Sequence, residues 1–229
     1  MGRISSHDAA TDQPLNVFGL PLAREGLPHI IAAMFLTVVL GLFFGIAGAV
    51  LGILLFALVV NFFRDPERIP PRDPLAIVAP ADGKVIQIAD IEDTRFLSAP
   101  ATRVSIFMSP LDVHVNRIPW SGQVLDVRYH PGKFFRAFAD KASLDNEQTA
   151  VHVRDEEGRQ LWFVQIAGLI ARRIVCRLQP GDRVQRGQRY GMILFGSRAD
   201  VYFPAGSVEV AVQLHQRTRA GETILARWR

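Results

Sequence analysis

The sequence has few of the residues from which disulfides and metal sites are built. Cys176 is its single cysteine, so no internal disulfide can form, which fits a reducing compartment. The six histidines include no H-x-H or H-x-x-x-H pair, and one thiol cannot build a thiolate site. We therefore predict no metal centre.

Signatures of phosphate-binding loops and of nucleic-acid binding are missing as well. Neither a P-loop nor a G-x-G-x-x-G motif follows any predicted strand. Lys and Arg number 26 against 22 Asp and Glu, a net charge of +4, but aromatic residues are not interleaved with the basic ones as in single-strand binders. A basic surface suits an anionic membrane equally well. We predict no nucleic-acid partner.

One long stretch near the N-terminus lacks charge altogether, from Ile30 to Phe63. A spanning helix needs about 20 apolar residues, so the stretch exceeds one span and falls short of two comfortable ones. Four glycines at close-packing intervals permit tight helix contact or a bend: Gly41, Gly45, Gly48 and Gly52. We predict a polar tail over residues 1–26 and a hydrophobic membrane segment over residues 27–63, either a helical hairpin or one long helix.

Basic residues flank this segment on both sides. Arg3 and Arg24 precede it, while Arg64, Arg68 and Arg72 follow it. By the positive-inside tendency the second flank is cytoplasmic, so we predict that the rest of the protein lies on the cytoplasmic face of the cell membrane. The three following arginines suit anionic headgroups, although a purely topology-setting role explains them equally well.

Residues 64–229 have the pattern of a mainly β domain. After a proline-rich link, short segments with period-two alternation are separated by turn residues. Such lengths and spacings favour a compact β-barrel or sandwich over an alternating α/β fold. A helical or irregular excursion is expected at 133–144. The predicted strands are 76–79, 84–88, 103–108, 122–127, 150–153, 161–166 and 172–175.

Two short phrases in this domain look alike. Pro80-Ala-Asp-Gly-Lys-Val85 and Gln179-Pro-Gly-Asp-Arg-Val184 each place a tight turn before a valine-led strand. This repeat of a tight turn followed by a strand is similar to that of lipoyl- and biotinyl-like barrels. It predicts a pseudo-symmetric β-barrel of the lipoyl/biotinyl-like hybrid type.

Three sites have the residue types of chemistry, yet each has an ordinary structural explanation. Met192–Phe195 reads as a buried strand closed by Gly196-Ser197-Arg198, and Gly and Ser are common turn residues. Asp82 precedes a glycine, as a turn aspartate does. His114 suits a satisfied histidine near a strand end as well as an acid or base near neutral pH.

Taken in order, the motifs form a set that is not accidental. This set resembles the phosphatidylserine decarboxylase proenzymes, in particular the short bacterial and archaeal type, over residues 63–204. The motifs that carry the resemblance are Phe63-Arg-Asp-Pro-Glu-Arg-Ile-Pro70, Pro80-Ala-Asp-Gly83, Ser109-Pro-Leu-Asp-Val-His114, Gly132-Lys-Phe134, Asn146-Glu147, Ile166-Ala-Gly168 and Phe195-Gly-Ser-Arg198.

The resemblance implies that Ser197 becomes a covalent pyruvoyl cofactor. Its hydroxyl would attack the carbonyl of Gly196, and elimination would then split the chain between these residues. The products would be a membrane-bound β chain (1–196) and an α chain (197–229) that stay together as a heterodimer, with a dimer of such heterodimers as a further option. The pyruvoyl carbonyl would form a Schiff base with phosphatidylserine, and loss of carbon dioxide would yield phosphatidylethanolamine.

The resemblance also implies auxiliary roles for Asp82 and His114, which would assist self-cleavage in a serine-protease-like arrangement. Longer family members read Asp-Tyr-His-x-x-His, whereas this chain has Arg117 where the second histidine would stand. Either His114 serves both steps, or His130 or His152 replaces the missing base. Arg117 cannot act as a base, but it suits a substrate carboxylate or phosphate.

Three alternatives remain at this stage. A non-enzymatic, membrane-anchored biotinyl- or lipoyl-like barrel needs an acceptor lysine at a hairpin tip, and none of Lys84, Lys133 and Lys141 has that setting. A membrane-anchored zinc peptidase needs a close histidine pair. A pyruvoyl decarboxylase of another amine has no reason to carry the uncharged stretch at 30–63.

Overall fold

The computed structural model describes residues 14–17, 19–132, 146–168, 174–194 and 197–229. The described residues divide into two compact units, one that ends at Glu67 and one that comprises the described part of Arg68–Arg229. The first unit is dominated by helix and the second by strands, so the predicted mainly β class with an N-terminal apolar helical segment is confirmed.

The N-terminal unit consists of two short strands and one interrupted helix. Strands β1 (Leu15–Val17) and β2 (Leu20–Leu22) pair antiparallel, a 3-10 turn follows at Arg24–Gly26, and helix α1 covers Leu27–Phe62. A proline in the first turn of α1 fits a position whose N–H needs no helical acceptor.

Helix α1 reverses direction at Gly45, where φ is 61° and ψ is −144°. L-residues rarely adopt this conformation, so glycine is required there. The two ends of the helix meet, because the backbone N–H of Ala23 donates to the carbonyl of Phe63 at 2.8 Å. The arms, 27–44 and 46–62, are each about 26 Å long at about 1.5 Å per residue.

The two arms pack through small residues. A Cβ added to Gly52 would lie 2.7 Å from Cα of Thr37, and one added to Gly41 would lie 3.4 Å from Cβ of Ala49. Most large side chains of the helix are exposed, and α1 is long and apolar enough to cross a membrane. The unit therefore has the close internal packing and apolar exterior of a helical hairpin suited to lipid.

The second unit is built from β-strands arranged in one large and two small antiparallel sheets. The large sheet has the order β11-β7-β8-β9-β13-β5-β4-β15 and curves into a half-barrel, while β10-β12-β6 and β14-β16-β3 form the small ones. The strands are β3 (Ala76–Val78), β4 (Gly83–Asp93), β5 (Ala99–Met108), β6 (Val115–Arg117), β7 (Gly122–His130), β8 (Gln148–Arg154), β9 (Gln160–Ile166), β10 (Ile174–Cys176), β11 (Arg183–Val184), β12 (Arg189–Ile193), β13 (Ser197–Pro204), β14 (Val208–Val210), β15 (Arg217–Thr218) and β16 (Ile224–Trp228).

The large sheet is covered on both faces around β13. Ala199, Val201 and Phe203 point into the main core, whereas Tyr202 packs with Trp162 in a smaller cluster on the opposite face. A strand buried on both faces has a continuous rather than an alternating apolar pattern. This explains why period-two alternation did not reveal β13 in the sequence.

Most predicted strands are present. The segments 76–79, 84–88, 103–108, 122–127, 150–153 and 161–166 lie in β3, β4, β5, β7, β8 and β9, respectively. The segment 172–175 is described only from Ile174, where β10 begins, and the expected excursion at 133–144 lies outside the described residues. The sequence did not predict β13 or the short strands β6, β14, β15 and β16, whereas β11 ends at Val184, where a valine-led strand was expected.

The prediction for the Gly196-Ser197-Arg198 turn was wrong in one respect. Ser197 and Arg198 do not belong to a turn, because Ser197 is the first residue of β13 and lies opposite Met108 of β5. The preceding strand also ends earlier than expected, at Ile193 rather than at Phe195. Cross-strand pairing holds Ser197 extended, which its local sequence did not reveal.

A cysteine pair tests the reversal of α1. In a Cys176→Ser background, Gly41→Cys with Ala49→Cys should form an intramolecular disulfide on mild oxidation, because the Cβ atoms come within bonding range. A continuous helix would instead separate these positions by about 12 Å along its axis. Gel mobility with and without reductant measures the bond. Gly41→Cys with Ile53→Cys is the control, and equal cross-linking of both pairs would contradict the hairpin.

Candidate active site

Ser197 is a buried serine at the start of a central strand. It is fully buried, and its Oγ donates to Sδ of Met108 at 3.3 Å. From Arg198 onward β13 also pairs with β9, where Arg198 lies opposite Ile166. Its strand is therefore fixed along both edges, while Gly196 lies outside the described residues.

A chain of polar contacts leads from Ser197 to two buried amides. Asn116 Nδ2 lies 3.8 Å from the same Met108 Sδ, and Gln165 Nε2 donates to Asn116 Oδ1 at 2.9 Å. Gln165 lies opposite Ala199, so its side chain shares the sheet face of Ser197. Its Oε1 is buried and has no hydrogen-bond partner, a state that typically costs about 1–3 kcal/mol. A ligand with a donor group would relieve that cost.

His114 lies close to the segment that leads to Ser197. The side chain is fully buried, its Nδ1 donates to the carbonyl of Asp112 at 2.9 Å, and its own carbonyl accepts from Ile193 N at 3.4 Å. Since a carbonyl only accepts, Nδ1 carries a proton and Nε2 is the basic nitrogen of the neutral ring. His114 immediately precedes β6 and is two residues from Asn116.

Asp82 is held in an ion cluster at the turn before β4. Its Oδ2 accepts from Arg68 Nη2 at 3.0 Å and its Oδ1 accepts from the backbone N–H of Ala220 at 2.7 Å. The turn also contacts the polar site, by which we mean Ser197, Met108, Asn116 and Gln165. The carbonyl of Pro80 accepts from Asn116 Nδ2 at 3.5 Å. Asp82 is thus joined to the site through its turn.

Arg117 alternates to the other side of β6 from Asn116. The side chain is buried, and its Nη1 donates to the carbonyl of Gly187 at 2.8 Å. This contact ties β6 to the turn that precedes β12.

The two other histidines considered as a base lie on the opposite face of the sheet. His152 stands opposite Trp162, stacks on its ring at 4.6 Å between centroids and shares a hydrogen bond with Gln160. Burial lowers the pKa of His152 below its ordinary value. His130 lies opposite Gln148, and the pairing continues across the sheet through β9 to Arg198. Residues paired in this way share one sheet face, and the side chain of Arg198 points away from that of Ser197. Of these three histidines, His114 alone lies next to β6, two residues from Asn116.

Comparison with known proteins gives the family. The family model described as phosphatidylserine decarboxylase matches residues 55–226. The chain belongs to this family. Its enzymes are lyases that act by decarboxylation, so this chain is a member of an enzyme family and the carrier-module alternative is set aside.

Several bacterial relatives are similar over nearly the whole chain, and each is named a phosphatidylserine decarboxylase proenzyme. The one from Nitrosomonas eutropha is 45% identical and aligns over 91% of this chain and 95% of its own length. That from Geotalea uraniireducens is 47% identical over 90% and 95%. That from Oleidesulfovibrio alaskensis is 51% identical over 78% and 81%.

Sequence reasoning missed the amides and Met108. Met108 and Gln165 sit in strands whose apolar neighbours look like ordinary core, and Asn116 stands between Val115 and Arg117 with no motif to mark it. It also missed a buried ion pair beside Ser197. Arg198 donates to both carboxylate oxygens of Asp200, at 2.6 and 2.8 Å, and to Ser105 Oγ at 2.9 Å. Arg198 and Asp200 are two residues apart in a strand, so alternation along the sequence could have placed them on one face.

Removal of Asp200 tests how strongly this pair holds β13. Asp200→Ala leaves the Arg198 guanidinium buried without its carboxylate, which should lower the free energy of unfolding by about 3–5 kcal/mol. Asp126→Ala removes the exposed pair with Arg128 and should cost below about 1 kcal/mol. Denaturant unfolding of the purified variants measures both. Equal losses would show that the buried pair does not stabilise the strand.

Proposed function

We propose that this protein decarboxylates phosphatidylserine to phosphatidylethanolamine with a pyruvoyl group made by self-cleavage between Gly196 and Ser197. The observation that carries the proposal is the placement of Ser197, a buried serine directly after glycine at the first position of a fixed central strand. The family membership and the proenzyme names of the relatives support the same reaction.

Self-cleavage needs only groups of the chain and water. Ser197 Oγ attacks the Gly196 carbonyl, and the amide becomes an ester as the nitrogen becomes an amine. Loss of the Cα proton of residue 197 expels the Gly196 carboxylate and breaks the Cβ–O bond. Residue 197 is then an enamine, which takes up a proton at Cβ and becomes an imine. Water adds to the imine carbon, the nitrogen leaves as ammonia, and residue 197 carries a ketone. Because glycine has no side chain, the carbonyl of residue 196 offers little steric resistance to the attack.

The residues around Ser197 fit a pyruvoyl group. The group is about as small as serine, and the strand that carries it is paired on both edges. The buried Gln165 Oε1, on the same sheet face, has an unused acceptor lone pair that suits a donor such as the lipid ammonium. When formed, its carbonyl would condense with the lipid amine and withdraw electrons from the carbon that loses carbon dioxide. The amides Asn116 and Gln165 would orient the headgroup.

The 197–229 piece would remain bound as the α chain of a heterodimer with residues 1–196. Its strand β13 pairs with β5 and β9, β15 pairs with β4, and β16 pairs with β3. These pairings lie at residue 197 and beyond, so the residues that follow the cut stay paired with strands of the larger piece.

His114 is proposed as the base for self-cleavage and as the proton donor during decarboxylation. Its Nδ1 donates to the Asp112 carbonyl, which leaves Nε2 to accept a proton from a hydroxyl. Asp82 is proposed to assist by holding its turn against Asn116 and against the C-terminal segment through Ala220. Its bonds to Arg68 and Ala220 support a fixed rather than a mobile carboxylate.

Arg117 is proposed to stabilise the bound anionic headgroup by charge attraction. Its guanidinium would act from the side of β6 opposite to Asn116. Its contact with Gly187 supports a fixed guanidinium. An Arg117→Gln variant that cleaves itself normally but has a raised KM for the lipid would support this role, and an unchanged KM would remove it.

The hairpin of α1 is proposed to anchor the enzyme in the cell membrane, with the second unit on the cytoplasmic face and in contact with anionic lipid. A lipid substrate requires access to a membrane surface, and the length and apolar exterior of α1 support an anchor there. Of the basic residues that follow the helix, Arg68 already donates to Asp82 and Glu222, whereas Arg72 is exposed and suits attraction to anionic headgroups.

Replacement of Ser197 tests the function. Ser197→Ala removes the attacking hydroxyl, so the protein should remain one 25.5 kDa chain and release no carbon dioxide from phosphatidylserine micelles. Ser207→Ala, a serine in a turn of the same C-terminal segment, should cleave and turn over normally. Denaturing gels and carbon dioxide release are the measurements. An active Ser197→Ala enzyme would rule out the proposed chemistry, and processed enzyme that ignores phosphatidylserine would point to another amine.

Replacement of His114 tests the assignment of the base. His114→Ala should slow self-cleavage by about 100- to 10,000-fold, and added imidazole should restore part of the rate, which a merely structural defect would not allow. Asp82→Asn should slow cleavage less. His152→Ala, on the other sheet face, is the matched control and should cleave normally. Normal cleavage by His114→Ala, or a defect confined to His152→Ala, would overturn the assignment.

A further inference from the structure

Two tight turns lie beside one another near the Ser197 end of the large sheet. The first, Ser109–Asp112, follows β5 directly after Met108, which is opposite Ser197. The second, Gln213–Gln216, precedes β15 on the edge next to β4, about 15 Å from β13 at three strand spacings. Arg217 Nη1 donates to Asp112 Oδ1 at 3.0 Å and joins the two turns.

Both turns are closed twice in the same way. The N–H of the last residue donates to the carbonyl of the first, at 2.9 Å in Ser109–Asp112 and 3.1 Å in Gln213–Gln216. The N–H of the first residue donates to the side chain of the last, at 2.8 and 2.9 Å. Such turns present their central residues outward, and these include Leu111 and Leu214, which are 64% and 51% exposed.

The turn geometry does not require leucine. Gln179–Asp182 and Gln185–Gln188 are closed by the same two bonds, yet their central residues are Pro180-Gly181 and Arg186-Gly187. Glycine, proline and polar residues are the usual choices at such positions. Turn geometry therefore does not account for leucine at these two tips, Leu111 and Leu214, which we call the leucine tips.

The surroundings of the leucine tips are basic. Lys84 is exposed, the Arg217 side chain is 76% exposed, and the one carboxylate in the cluster, Asp112, is bonded to Arg217. His215 is also exposed at the second tip. Exposed leucines beside cationic side chains are the combination with which proteins enter the interface of anionic bilayers.

We propose that the leucine tips insert into the surface of a bilayer that contains anionic lipid, and so hold the site of Ser197 against the membrane from which its lipid substrate comes. The inference rests on the proposed function for the identity of the substrate. It adds a second membrane contact, made by the β unit, to the contact proposed for α1.

Tryptophan fluorescence tests the insertion directly. The three native tryptophans, Trp120, Trp162 and Trp228, are buried, so a tryptophan placed at a tip reports on the surface. Full-length Leu111→Trp and Leu214→Trp proteins are bound to vesicles of phosphatidylserine and phosphatidylcholine with plain or brominated acyl chains. Brominated chains should quench the emission of both variants. Pro180→Trp places the probe in the same kind of turn on the opposite edge strand, and should show only the quenching of the parent protein.

Two outcomes of this measurement overturn the proposal. One is equal quenching of the tip variants and of Pro180→Trp. The other is a blue shift of tip emission that is the same with plain and brominated lipid, which would mean that protein, such as a second copy of the chain, covers the tips. Neither outcome depends on catalysis, and self-cleavage measured on the same samples shows separately whether the proposed function holds.

Activity on two physical forms of the substrate gives an independent test. Leu111→Ser with Leu214→Ser should leave self-cleavage and the turnover of monomeric short-chain phosphatidylserine unchanged. On phosphatidylserine vesicles kcat/KM should fall about tenfold, because apolar area is no longer buried in lipid. Equal kcat/KM values for variant and parent on vesicles, or an equal loss on both substrate forms, would overturn the proposal.

Discussion

The pairing of β13 along both of its edges is the constraint on which the site depends. β5 holds the strand from Ser197 to Pro204, and β9 holds it from Arg198 to Tyr202. Because the pairing continues from Arg198 to Pro204, a break before residue 197 leaves the pairing of the residues that follow it in place. A chain can therefore be cut inside its core without losing the strand that carries the new terminus, and the buried pair of Arg198 and Asp200 fixes the same end.

The polar site is assembled around this end from segments that are far apart in the chain. The end of β5 supplies Met108, the stretch around β6 supplies His114 and Asn116, and β9 supplies Gln165. Buried polar groups in a low-dielectric interior are stable only when they are hydrogen-bonded. The unsatisfied Gln165 Oε1 breaks this rule, as residues of functional sites commonly do.

The sequence predicted the fold class and most strands of the β unit, because alternation and turn residues are local signals. It did not predict that Ser197 is extended, since the residue that holds it, Met108, is 89 positions away along the chain. Gln165 was invisible for a similar reason, as its neighbours in β9 are apolar and only the sheet pairing places it near Ser197. Likewise, the sequence left His130 and His152 open as bases, and only the strand register placed both on the sheet face opposite to that of Ser197.

The central claim is that residue 197 carries the carbonyl that reacts with the lipid. Purified enzyme is mixed with phosphatidylserine, reduced with borohydride and separated into its chains, and the mass of each chain is determined. The account predicts that the 197–229 chain gains the mass of one aminophospholipid and that the 1–196 chain is unchanged. A lipid adduct on the larger chain, or on an uncleaved 25.5 kDa chain, would contradict it.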